Sequence, residues 1–196
     1  MLITCSGCIF SEYKTYTLKK DDVRFRLGGT VLEHPRFTFE YPNKFQLLDL
    51  NKAWDIEYQT RITLIEFHRQ EPGETIGSEI DVAVFKPELE LDDFISTAFL
   101  NAVLTTTSTN YTISNLEILV EKTVTVSGIP ADYYICKLGR EIQNGNEKAP
   151  SSYIFLLTYF EYADLRWEIL LRSYEEYTKE MTTYFDHIIE TFKILD

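Results

Sequence analysis

The sequence contains three cysteines, too few for a disulfide-rich scaffold, and Cys5 and Cys8 have the Cys-x-x-Cys spacing of redox and zinc sites. A zinc site would require a second cysteine pair or histidines at ligand spacing, and neither follows. A redox pair would open a helix after a strand, whereas this pair lies within the first eight residues. Cys136 lies in an apolar, strand-like run and is predicted to be a buried structural thiol. The cysteines therefore favour neither redox nor zinc chemistry.

The three histidines, His34, His68 and His187, are the first candidates for acid–base catalysis or metal binding. None of them lies at metal-ligand spacing from another. His187 has Asp186 beside it and Glu190 about one helical turn later, a group that either binds a metal weakly or forms ordinary ion pairs. The sequence lacks Gly-x-Ser-x-Gly, a phosphate-binding glycine loop and His-Glu-x-x-His. We therefore predict no catalytic, cofactor-binding or metal-ligating residue, no cofactor and no enzymatic activity.

Carboxylates are abundant but do not form a recognisable site. Pairs such as Glu88 with Glu90 are close in sequence, but two-carboxylate catalysis requires groups that face each other. The acidic segment 88–93 attracts cations, yet it lacks the oxygen spacing and the glycine of a calcium-binding loop. We interpret these residues as solvated charges. A carrier of a small ligand or of a divalent cation such as calcium stays as an alternative function.

The first eight residues resemble the end of a bacterial lipoprotein signal, in which an apolar run and small residues precede the cysteine that receives the lipid. Ser6, Gly7 and Cys8 match that last step, whereas Cys5 takes a position usually held by leucine. A charged segment and a full apolar segment do not precede them. We predict lipid attachment at Cys8, with residues 1–12 as signal remnant or flexible tether. The alternative is an ordinary frayed N-terminus.

Charge and composition exclude other classes of partner. The 196 residues include 31 acidic and 19 basic side chains, for a net charge of -12, which repels nucleic acid. No later stretch approaches the roughly 20 apolar residues that a membrane-spanning helix needs. The sequence shows no internal repeat and no linker rich in proline, serine or glycine. Residues 13–196 are therefore predicted to form one domain. The predicted location is extracytoplasmic and membrane-anchored through the lipid, with a soluble protein as the alternative.

Aromatic residues make up 14% of the chain and favour strands. The patterns predict a hairpin over 13–27, strands at 37–42, 54–58, 61–67, 80–85, 113–126 and 131–138, a hairpin over 152–172, and helices from about 92 to 103 and 177 to 192. The closing helix is expected to begin with a capping box of Ser173 and Glu176. Antiparallel hairpins with two separated amphipathic helices indicate an α+β domain.

Several of these segments together resemble the PsbP-like family over residues 37–195. They are the aromatic strand 37–42 ending in Tyr-Pro, the Gly-Ile-Pro-Ala turn at 128–131, the hairpin through Trp167 and the closing Ile-Ile-x-Thr-Phe at 188–192. The resemblance implies an α/β/α sandwich around a central antiparallel sheet. Members include extrinsic photosystem II subunits that help retain calcium and chloride, a Ran-binding nuclear import factor and bacterial lipoproteins of unsettled role, so it implies binding rather than catalysis.

We therefore expect a non-catalytic binding or accessory module of the bacterial cell envelope, which meets an envelope protein through an exposed sheet face. The surplus of tyrosines either lines a ligand groove or packs in the core and the sheet. The tyrosines in question are Tyr58, Tyr133, Tyr134, Tyr153, Tyr159, Tyr162 and Tyr174.

Overall fold

The computed structural model describes residues 12–18, 25–27, 30–32, 36–48, 61–70, 77–85, 111–142 and 152–195. Their strands are β1 (Tyr13–Leu18), β2 (Phe25–Leu27), β3 (Thr30–Leu32), β4 (Arg36–Pro42), β5 (Gln46–Leu48), β6 (Arg61–Arg69), β7 (Ser78–Phe85), β8 (Tyr111–Val126), β9 (Ile129–Ile142), β10 (Tyr153–Tyr162), β11 (Leu165–Tyr174) and β12 (Lys193–Leu195). A 3₁₀ turn (Glu175–Tyr177) leads into the helix α1 (Thr178–Thr191).

Seven antiparallel strands form the main sheet in the order β5-β6-β7-β11-β10-β9-β8. Two tight turns set its longest hairpins. Ala163 and Asp164 join β10 to β11, and Ser127 and Gly128 join β8 to β9, all four with positive φ. Two consecutive residues with positive φ match the turn whose twist suits a two-residue hairpin. The predicted break at 128–131 therefore lies one residue earlier, and Ile129 already belongs to β9.

A second sheet, β1-β4-β12, and α1 pack on one face of the main sheet. The helix buries Met181, Tyr184, Phe185, Ile188 and Ile189, which recur at helical spacing as the sequence predicts. Their partners on the main sheet are the apolar side chains that alternate along β7, β10 and β11. This is the larger core, and it holds the aromatic strand β4.

The opposite face of the main sheet carries a second buried cluster. Its larger members are Phe85, Tyr134, Leu138, Tyr153, Phe155, Leu157, Tyr159, Leu170 and Tyr174. The helix predicted over 92–103 and the strand predicted over 54–58 lie outside the described residues. The antiparallel α+β fold is confirmed. In the described part of the chain, no helix has the length and apolar character needed to cross a bilayer.

Two local predictions are wrong. The hairpin expected over 13–27 does not form, because β1 pairs with β4 and β2 pairs with β3. The capping box is absent because Ser173 is the penultimate residue of β11, where its buried hydroxyl lies 2.7 Å from that of Ser78. The backbone stays extended through Tyr174, and the α-helix begins at Thr178. Tertiary pairing outweighs the local cap signal at this position.

Candidate functional site

Four ionisable side chains lie together where β6 and β7 pair. His68 is directly opposite Glu79, and Glu66 is directly opposite Asp81. Since side chains two residues apart on a strand share a face, all four lie on the face of the second buried cluster. Gly77 permits the close approach of the two strands, because a Cβ there would lie 1.7 Å from the carbonyl oxygen of Arg69.

The side chains of this group contact one another directly. Nε2 of His68 is hydrogen-bonded to the Glu66 carboxylate and lies 3.9 Å from Oε1 of Glu79. Arg172, on β11, forms an ion pair with that same Glu79 oxygen. The hydrogen bond with Glu66 raises the pKa of His68, partial burial opposes the rise, and the charges of Glu79, Glu66 and Asp81 add to it. We name Glu66, His68 and Glu79 the imidazole–carboxylate cluster.

The imidazole–carboxylate cluster has the donor types of a metal site. One nitrogen and two carboxylate oxygens lie within 4.8 Å of one another. His68 is 41% exposed at its side chain, so a solute can reach it, while Glu66 and Glu79 are more buried. The same atoms also satisfy each other as ion pairs. The arrangement thus supports either ordinary pairing or the coordination of a divalent ion.

The tyrosines behave as packing residues. Tyr134, Tyr153, Tyr159 and Tyr174 are buried in the second cluster, and Tyr133 is buried on the helix side. Tyr159 donates a hydrogen bond of 3.1 Å to the fully buried Glu168. Tyr162 is exposed, and Tyr58 lies outside the described residues. Burial therefore favours the core interpretation over a tyrosine-lined groove.

One outer strand of the main sheet exposes a continuous apolar segment. Ile118, Leu119 and Val120 of β8 are 49%, 44% and 37% exposed, next to an irregularity in the pairing of β8 with β9. An irregularity of that kind turns consecutive side chains outward. The opposite outer strand, β5, also exposes Leu47 and Leu48, but it has three residues against the sixteen of β8.

The predicted reactive groups are distributed as follows. Cys136 is fully buried, as predicted, and burial raises the pKa of its thiol to about 12, with a smaller effect from Glu121. A thiol with that pKa is protonated and unreactive at neutral pH. Cys5, Cys8, His34 and the acidic segment 88–93 lie outside the described residues.

His187 does not form the group that the sequence offered. Its Nε2 lies 2.8 Å from a carboxylate oxygen of Glu40, on β4, and its ring stacks on Tyr13 at 3.8 Å. Asp186 accepts a hydrogen bond from Tyr133 instead, and Glu190 is exposed. Of the two interpretations offered for His187, a weak metal site or ordinary ion pairing, its contact with Glu40 matches ion pairing.

The imidazole–carboxylate cluster was not predicted. Glu66 and His68 are two residues apart in a strand, which places them on one face, and that much is visible in the sequence. Their third partner, Glu79, depends on the pairing register of β6 and β7 and on a shift in that register between Thr63 and Ile65. The hydrophobic alternation of a strand fixes the face on which each side chain lies, but it does not identify the residue opposite it on the partner strand.

Comparison with known proteins identifies the fold. No protein-family profile and no curated protein matches the chain. Among solved structures, it resembles cyanobacterial PsbP (CyanoP) from Synechocystis sp. PCC 6803 at 14% identity and a TM-score of 0.51, with 99% of each chain covered. It also resembles the Saccharomyces cerevisiae Ran-binding protein Mog1p at 13% identity and a TM-score of 0.50, covering 94% of this chain and 96% of that one. This protein therefore has the PsbP-like fold, as its sequence motifs indicate.

Proposed function

We propose that this protein is a non-catalytic binding module of the bacterial cell envelope, anchored by a lipid on Cys8, and that it binds an extended segment of an envelope protein along β8. A protein of the same fold, Mog1p, is named as Ran-binding, which supports protein binding as a use of this fold. Fold alone is a weak guide to function, so the proposal depends on the surface of β8.

The exposed segment Ile118–Val120 is the observation that carries the proposal. β8 ends the strand order of the main sheet, so its outer main-chain groups face away from β9. A long outer strand with exposed apolar residues favours association, while the charged flanks and the pairing irregularity of β8 guard it against non-specific edge pairing. Addition of a partner strand would use these main-chain groups for affinity and the apolar side chains for specificity.

Charge indicates the chemistry of that segment. Glu117 and Glu121 flank the apolar residues of β8, and both are exposed. Glu117 lies opposite Lys137, which pairs mainly with Glu175. The whole chain carries a net charge of -12. The partner segment is therefore an extended strand with apolar residues at its centre and basic residues at its flanks.

Substitution of Leu119 tests this surface. A photoreactive residue at position 119 in the native bacterial host would identify the contacting segment, which is then purified and its affinity measured by calorimetry. We expect Leu119→Lys to weaken that affinity by at least 10-fold, since loss of a central contact residue typically costs about 2 kcal/mol or more and about 1.4 kcal/mol is already tenfold. The matched control is Leu47→Lys, an exposed leucine on the opposite outer strand, which should change affinity less than twofold.

Two results would contradict the proposal. If Leu47→Lys and Leu119→Lys weaken binding equally, β8 is not the contact surface. If the wild-type chain sediments as a dimer that Leu119→Lys dissociates, the occupant of β8 is a second copy of this chain rather than an envelope protein.

The lipid anchor has a separate test. We expect mass spectrometry of the protein expressed in its bacterial host to show loss of residues 1–7 and a diacyl or triacyl group on Cys8. Cys8→Ser should abolish the added mass, and Cys5→Ser should retain it. An unmodified wild-type chain that keeps Met1 would contradict the anchor while leaving the binding role of β8 open.

A further inference from the structure

The pairing of β6 with β7 places four side chains that can bind a metal next to one another on one face of the sheet. His68 with Glu79 and Glu66 with Asp81 are successive cross-strand pairs on one face. Directly opposite residues in an antiparallel pair have Cβ atoms about 4.5–5.5 Å apart. The backbone of two hydrogen-bonded strands therefore holds the bases of these side chains in position.

We propose that Glu66, His68 and Glu79 bind a divalent first-row transition ion of the zinc class. Their three ligand atoms already lie within 4.8 Å of one another. Ligands at about 2.0–2.2 Å from zinc in a tetrahedral site lie roughly 3.3 Å apart. Rotation of the two glutamate side chains, which have several rotatable bonds each, would bring Glu79 closer to His68 and move Glu66 slightly away from it, without movement of the strands. Water completes the coordination on the exposed side of His68.

The charge of the site favours a divalent cation. Glu66, Glu79 and Asp81 supply three carboxylates around the imidazole, and Arg172 supplies one guanidinium. Metal binding requires a deprotonated imidazole, and with His68 neutral these five groups keep two uncompensated negative charges. A divalent ion would balance these two charges. It would bind between His68 and Glu66 and replace the hydrogen bond that joins them in the free protein.

The donor set discriminates between ions. An imidazole nitrogen suits zinc, nickel, copper and iron, whereas calcium and magnesium are held by oxygen ligands alone. One nitrogen with two carboxylate oxygens therefore favours zinc over calcium. Arg172 would not bind the ion itself, but its ion pair with Glu79 would orient that ligand carboxylate.

This inference is independent of the proposed function. The imidazole–carboxylate cluster lies on β6 and β7, and the proposed protein contact lies on β8, three strands beyond β11 in the order of the main sheet. Neither site shares a residue with the other. Loss of one would leave the other intact.

The test is calorimetric titration of the full chain, first stripped of metal with a chelator, with zinc chloride and separately with calcium chloride. We expect one zinc ion per chain and no calcium binding at the same concentration. His68→Ala should weaken zinc binding at least 100-fold, because loss of an outer-shell partner alone already costs 10–100-fold. Glu66→Gln should weaken it as well, and thermal unfolding followed by circular dichroism checks that each variant folds.

Matched controls separate this site from the other candidates. His187→Gln removes a histidine that also pairs with a carboxylate, and it should leave zinc binding unchanged. The double variant Cys5→Ser/Cys8→Ser should do the same. Cobalt, used in place of zinc, should show no thiolate charge-transfer band. Absence of zinc binding by the wild-type chain, or zinc binding that survives in folded His68→Ala, would overturn the proposal and leave the imidazole–carboxylate cluster as ion pairs.

Discussion

Replacement of Trp167 by alanine is expected to lower the free energy of unfolding by about 3–5 kcal/mol. The indole is 1% exposed and lies where three elements meet. Its ring centre is 5.7 Å from Phe160 on β10, 5.9 Å from Phe37 on β4 and 6.2 Å from Phe192, just after α1. Removal leaves a large cavity between the two sheets and the helix. Domains of this kind have only about 5–15 kcal/mol in total, so the variant loses a large share of its stability.

Urea unfolding followed by circular dichroism measures this loss. Trp167→Phe keeps most of the ring volume and should cost clearly less than the alanine variant. Leu119→Ala removes an apolar side chain that is 44% exposed, and it should stay within about 0.5 kcal/mol of the wild type. A Trp167→Ala cost below about 1 kcal/mol would mean that the two sheets and the helix do not share this contact.

Replacement of Arg172 by alanine is expected to cost about 3 kcal/mol or more, without any metal present. Arg172 and Glu79 are 7% and 17% exposed at their side chains, and they form an ion pair on the second face of the main sheet. Removal of one member of a buried pair leaves the other charge without its partner, which typically costs 3–5 kcal/mol. His68, at 3.9 Å from Glu79, offsets part of that cost.

Arg166 provides a matched control on the same strand. It pairs with Glu161 at 3.1 Å, but Glu161 is 66% exposed. Exposed pairs contribute about 0–1 kcal/mol, so loss of this ion pair costs little. Arg166→Ala should therefore cost clearly less than Arg172→Ala in urea unfolding, mainly through packing lost around a side chain that is 14% exposed. The double variant Glu79→Gln/Arg172→Met removes both charges and should recover much of the stability that Arg172→Ala loses. Equal costs for Arg166→Ala and Arg172→Ala would show that the pair of Arg172 with Glu79 contributes no more to the free energy of unfolding than the exposed pair does.

The features that the sequence predicts well are those with strong local periodicity. The closing helix follows from Met181, Tyr184, Phe185 and Ile188 at helical spacing, and the hairpin of β10 and β11 follows from two apolar runs joined by a short polar turn. The buried thiol of Cys136 follows from its apolar strand. In each of these segments the local pattern and the tertiary packing favour the same structure.

The features that the sequence does not predict depend on which strands pair. The segment 13–18 looks like half of a local hairpin, yet it pairs with β4, and Ser173 looks like a helix cap, yet it lies inside β11. The imidazole–carboxylate cluster arises in the same way, because Glu79 reaches His68 only in the observed register. Sequence separation hides contacts of this kind, since any of several strands could supply the partner.

The pairing of β12 with β4 bears on the order in which the protein folds. Residues 193–195 complete a sheet with residues 36–38, and Phe192 stacks on Phe37 at 5.3 Å between ring centres. During synthesis, the aromatic strand emerges from the ribosome more than 150 residues before its partner β12. The aromatic side of β4 therefore stays incomplete until β12 has been synthesised, and pairings this distant in sequence form slowly. We expect this part of the fold to form only after residues 193–195 have left the ribosome, with exposure to chaperones or aggregation until then.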